Sequence, residues 1–205
     1  MVSDEGVSGW PLPVVTAGAY VVLDGRFPFM VGPTARGDAL GVVRLGGHRE
    51  PGESAWDCAA REVREEAGLR IQPIAPPATY WFEDGDAADA LVPGDWPVAQ
   101  GEAAPLVAIR KNVGAARRLM PMYLARAVGD PQPLAETRGL LLLSPAEIRA
   151  LVAAPTTLDQ FLRTSGRALL RDSLPAHLPL EPFLQLRLLA ALLARHPDLG
   201  GSMPD

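Results

Sequence analysis

An α/β fold is predicted for this chain of 205 residues by two observations. Short β-branched and apolar runs alternate with helix-length amphipathic stretches, in the order strand, helix, strands, strand, helix. A glycine-rich turn also leads directly into the first of those helices, Gly46-Gly47 and then Pro51-Gly52 preceding the run from Ser54 to Ala67. At 48% hydrophobic and 21% charged residues, the composition is that of a globular protein rather than a disordered one. The length suits one well-cored domain with about 50 residues to spare.

Residues 1–12 are polar and rich in Gly and Pro and read as a loose, flexible entry segment. Val14 to Leu23 is a strand ending at Asp24-Gly25, a hairpin signal, and Phe27 to Val31 is its return. Gly41 to Leu45 is a short strand that delivers the chain to the glycine turn. After the first helix, Arg70–Ile74 and Thr79–Phe82 alternate as strands do. Residues 83–105 have little periodicity and read as a long loop. Leu119–Val128 and Gly139–Leu143 are the next strands. Ser144-Pro145-Ala146-Glu147 then opens a second helix with an N-cap serine, a proline at the first position and an acid in the first turn.

The first helix carries the chemistry. Glu62, Glu65 and Glu66 are spaced i, i+3, i+4 and so share one face. Like charges so placed repel one another, and a bridging cation would convert that repulsion into binding. Carboxylate oxygens in such a cluster suit Mg²⁺ or Mn²⁺. Trp56, Ala59, Ala60, Val63 and Ala67 occupy another sector of the wheel and form an apolar side to bury. Glu53 and Ser54 stand where an N-cap or first turn belongs, and Gly68 where a C-cap belongs. Arg61 is placed to pair with Glu53 and pin the preceding loop to the helix. The alternative reading is a solvated acidic helix, which leaves the loop and the apolar face unexplained.

The pattern Gly47, five residues, Glu53, seven residues, then Arg61-Glu62-Val63-Arg64-Glu65-Glu66-Ala67-Gly68-Leu69 resembles the signature box of the Nudix hydrolases at every specified position. The resemblance implies an α/β/α sandwich on a mixed sheet, over residues 13–154. It also implies divalent-metal hydrolysis of a nucleoside diphosphate linked to another moiety: ADP-ribose, a nucleotide sugar, a dinucleoside polyphosphate or a modified nucleotide. On that reading Glu62, Glu65 and Glu66 ligate metal, with the Gly47 carbonyl as a further ligand, and Glu62 or Glu66 is the general base. Glu53 and Arg61 hold the loop. Family members often add a carboxylate from outside the box, and Glu136 lies in the corresponding loop; Glu83 and Glu102 are weaker alternatives. One departure is Leu45, where many members place proline before the double glycine. Downstream motifs that mark NADH or coenzyme A subfamilies are not found.

Arg110, Lys111, Arg117 and Arg118 form the concentrated basic stretch and are weak candidates for substrate phosphates, with a solvated cluster as the alternative. Tyr80, Trp81 and Phe82 at strand spacing are expected to be core, with stacking on a substrate base as the alternative. Net charge is −5, which disfavours a broad nucleic-acid interface. The single cysteine, Cys58, permits no internal disulfide and points to a reducing compartment. With no signal peptide and no run of 18 apolar residues, a cytoplasmic protein without membrane spans is expected. Arginine outnumbers lysine 18 to one, a coding bias that suggests a bacterial source. From about 155 to 205 the character becomes helical, with a leucine-rich helix over Pro182–Ala194 that either packs on the domain or pairs with a second copy. A catalytically silent sensor on the same fold is the alternative function, against which stands the retention of all the box glutamates. An isomerase would need further acid–base residues that the sequence does not show.

Overall fold

A computed structural model describes residues 12–97, 102–114, 116–164 and 166–200. The expected loose segment at 1–12 lies outside it except for Leu12. The chain begins with β1 (Thr16–Val22), β2 (Phe27–Pro33), β3 (Leu40–Val43) and β4 (Leu45–His48), followed by α1 (Ala55–Ala67). Next come β5 (Arg70–Pro73), β6 (Thr79–Glu83), β7 (Val92–Gly94), β8 (Val107–Val113), β9 (Ala116–Val128) and β10 (Gly139–Leu143). Then follow α2 (Pro145–Ala153), α3 (Leu158–Arg163), β11 (Arg167–Leu170), β12 (Leu180–Pro182) and α4 (Leu184–Arg195), and a short 3₁₀ turn at Pro197–Gly200.

Two mixed sheets result. The larger has the order β4-β1-β9-β8-β6-β7, with β5 also on β9; β1 is parallel to β9 and antiparallel to β4. The smaller has the order β11-β10-β2-β3-β12. Strand β1 is buried on both faces, as a central strand must be. Its Ala17, Ala19 and Val21 pack with Cys58, Ala59, Val63 and Ala67 of α1. Its Tyr20 turns the other way, into the core shared with the smaller sheet, α2 and α4. Small residues on β1 are what let α1 lie close, and that closeness brings the helix's acidic side to the edge of β4.

Several expectations are refined. The strand read at Gly41–Leu45 is divided at Arg44, and Gly46 and Gly47 belong to β4 rather than to a loop. The stretch read as loop at 83–105 contains β7, and β8 was not foreseen at all. The C-terminal part is helical as expected but also supplies β11 and β12, which pair with β10 and β3. Of the leucines in α4, Leu186, Leu188, Leu189, Leu192 and Leu193 are buried within the chain itself. They therefore need no second copy to cover them.

Candidate active site

The site is assembled where α1 crosses β4. Ser54 caps α1, its hydroxyl accepting from the Asp57 amide, and Gly68 closes it in the left-handed region with φ 68°. Between β4 and α1 the chain is pinned by Glu53. Its carboxylate takes two hydrogen bonds from Arg61, at 2.9 and 3.1 Å, and one from the Glu50 amide. Arg61 also donates to the His48 carbonyl at 2.9 Å. Arg49 reaches the Glu53 carbonyl. The expected Glu53–Arg61 pair is thus present and mostly buried. The bonds from Arg61 hold the Glu53 carboxyl below its ordinary value, and Arg61 is correspondingly raised.

The same Arg61 guanidinium gathers the metal candidates. It donates to Glu62 at 2.9 Å and to Glu65 at 3.1 Å. Glu66 turns to the strand instead, accepting from the Gly46 amide at 2.8 Å. Burial pushes the Glu66 carboxyl up to about 7; the Gly46 amide opposes the shift and the charge of Glu62 adds to it. Gly47 lies against Glu62 so closely that a Cβ there would overlap the carboxylate. Its carbonyl is within 3.7 Å of the Cys58 sulfur. Cys58 is buried in the α1–β1 core, and burial followed by the charge of Glu53 raises its thiol to about 11. It is a packing residue, not a nucleophile.

Among the described residues, no three acidic, imidazole or thiol groups already converge as a metal cluster. The donor set nonetheless fits a hard divalent cation. Glu62 and Glu65 converge on one positive group, the Arg61 guanidinium, while Glu66, on the same helix, is held by the Gly46 amide. Glu136 is exposed in the loop that packs on the C-terminal end of α1, where the Leu134 amide meets the Glu66 carbonyl. The structure does not bring its carboxylate into the group.

The basic stretch lies on the β8–β9 hairpin and is largely engaged. Arg110 and Arg117 both pair with Glu83, at 2.8 and 2.5 Å, and Lys111 is 3.8 Å from Asp84. Those guanidinium groups, Arg110 first, depress the Glu83 carboxyl. Arg118 is half-buried and forms no ion pair among the described residues. Trp81 has Arg110 4.2 Å from its ring centre and Trp96 at 5.7 Å, while Tyr80 and Phe82 are core. Glu102 is exposed in the segment that returns to β8. A cavity of ≈ 380 Å³ lined by Val22, Leu124, His196 and Leu199 opens at the opposite end of β1 and is not part of the site.

The NUDIX domain family model matches residues 15–161. The chain belongs to the Nudix hydrolase family. Two proteins described as NAD-capped RNA hydrolase NudC resemble this Nudix chain. The one from Stutzerimonas stutzeri is 32% identical over 133 residues and the one from Pseudomonas putida 31% over 135. Each alignment covers 52% of this chain and 48% of the relative, so the chain spans about half the length of the curated relatives it matches. A crystal structure described as a possible asymmetric diadenosine tetraphosphate hydrolase from Jonesia denitrificans has a TM-score of 0.51 at 16% identity. It covers 97% of this chain and 99% of that one, a likeness of fold. Among the described residues, no helix of this Nudix chain is long and apolar enough to cross a membrane. One buried charge beside the box escaped the sequence reading: Arg44, a lone arginine in the apolar run Val42-Val43-Arg44-Leu45. A charge in such a run directly before a double glycine was the available signal.

Proposed function

We propose that this protein is a Mg²⁺-dependent pyrophosphohydrolase cleaving a nucleoside diphosphate linked to another moiety. The observation that carries the reading is the gathering of Glu62 and Glu65 on one cationic group, beside Glu66 and Gly47, on a loop fixed by the Glu53–Arg61 pair. Glu62, Glu65 and Glu66 would hold the metal, with the Gly47 carbonyl as a further oxygen donor and Glu136 as a candidate from outside the box. A divalent cation bound there supplies charge neutralisation at the phosphate oxygens and a more acidic water. Glu66 or Glu62 takes the proton of the attacking water. The Glu53–Arg61 pair keeps the His48–Glu53 backbone in register with the helix, since phosphoryl transfer depends on positioning and charge.

Because two relatives are named as NAD-capped RNA hydrolases, dinucleotide pyrophosphates are the first substrates to try. ADP-ribose, nucleotide sugars, dinucleoside polyphosphates and modified nucleoside triphosphates follow. Purified protein is to be incubated with such a panel, including NADH and NAD-capped RNA, with and without Mg²⁺, and products separated chromatographically. Metal-dependent cleavage of a pyrophosphate bond in at least one compound is expected. Glu65→Gln and Glu66→Gln should each lower turnover by about 10²–10⁴-fold, the usual cost of losing a proton-transfer group or metal ligand. Turnover within a few-fold of wild type in both variants would remove the assignment.

A further inference from the structure

Arg44, at the break between β3 and β4, is only 8% exposed, and its Nη1 has no hydrogen-bond partner among the described residues. A buried guanidinium with an unspent N–H is costly unless a nearby charge compensates it. The space it occupies exists because two facing residues lack side chains. Gly18 and Gly46 are partners across β1 and β4. A Cβ at Gly18 would lie 3.0 Å from Nη1, and one at Gly46 would overlap it. Gly46 is also the residue whose amide holds Glu66. The guanidinium therefore lies against the strand residue to which that carboxylate is bonded. Burial disfavours the charged guanidinium, and Glu66 is the stronger of the two carboxylates that act in its favour, ahead of Glu62.

We infer that Arg44 is a positioning residue of the active site: housed in the slot between Gly18 and Gly46, it is the fixed counter-charge that holds Glu66 on the Gly46 amide. The inference rests on the proposed role of Glu66. A neutral residue of similar size fills the slot but supplies no field. Arg44→Met therefore lets Glu66 leave Gly46, whereas Arg44→Lys retains it.

The test is read on the full chain without metal, by NMR. In wild type and Arg44→Lys the Gly46 amide should be shifted downfield and slow to exchange. In Arg44→Met its exchange protection should fall by at least about tenfold, as for an opened local hydrogen bond. Unchanged Gly46 protection in folded Arg44→Met would overturn the inference, as would its loss in Arg44→Lys. Should Arg44→Met fail to fold, Glu66→Gln gives the reciprocal reading. Removal of the Glu66 charge should shift the Arg44 side-chain resonances and speed their exchange, and unmoved resonances would overturn the inference. Turnover of Glu66→Gln separates the two ideas. Full turnover there ends the proposed function, whereas lost turnover with an undisturbed Gly46 amide in Arg44→Met ends only the role of Arg44.

Discussion

Glu66 is held in the fold at a cost that its proposed role would explain. Its carboxyl, ordinarily near 4.5, is pushed up to about 7, chiefly by burial. Between those two pH values the folded state binds the proton more tightly than the unfolded chain does. Stability therefore falls as pH rises through that window, and the loss is complete above it. Below about 4.5 both states are protonated and the group contributes nothing. In urea titrations with chelator present, wild type should lose stability between pH 5 and pH 8. Glu66→Gln should flatten that part of the profile. An unchanged slope in the variant would show that another group carries the dependence. Gly47 poses a different demand, because a Cβ would enter the space of the Glu62 carboxylate. The colliding atoms are the free end of a flexible side chain, so Glu62 moves and the fold survives. Gly47→Ala should thus keep its melting temperature but lose about 10²-fold in turnover, the scale of an ångström-sized misplacement at a reacting centre. A variant that unfolded instead would assign Gly47 to structure.

At the scale of the element, α1 owes its limits to its ends. The Ser54 hydroxyl satisfies the Asp57 amide, and Gly68 adopts a left-handed conformation that a side chain resists. Ser54→Ala should cost about 1 kcal/mol of stability, measured by chemical denaturation. Gly68→Ala should cost a similar amount, about 1 kcal/mol, and its new methyl would also press on Leu134 at 3.3 Å. A neutral result at both ends would mean that packing on β1 alone defines the helix. These features were legible because caps and box residues act locally, through spacings a helix imposes. The Glu53–Arg61 pair was legible for the same reason, since both ends lie in one loop–helix unit. Strand β8 was not, because its outer half reads Arg110-Lys111-Asn112 and its order comes from pairing with β9. Residues 167–170 look helical beside Leu158–Arg163, yet they pair with β10, a partner the local sequence does not announce. Arg44 was missed because a lone arginine declares neither its burial nor the two glycines that admit it.

Over the whole molecule, the segment beyond the family match closes the core that the box leaves open. Tyr20 on β1 donates to the Gln185 carbonyl on α4, and Tyr80 meets His196 at 2.5 Å at the far end of the same helix. Between those ties Leu186, Leu188, Leu189, Leu192 and Leu193 enter the core with Phe29, Val31, Leu124 and Ile148. The sheet whose other face carries α1 is thus braced by α4. Leu189 is fully buried, so Leu189→Ala should destabilise the chain by about 2–5 kcal/mol, the range for a leucine cavity in a packed core. The same leucines were the sequence's argument for a second copy, and their burial inside one chain separates the two roles. Leu189→Ala should lower the denaturation midpoint while leaving the mass in light scattering unchanged. If the variant instead lost a subunit at unaltered stability, α4 would belong to an interface and not to this core.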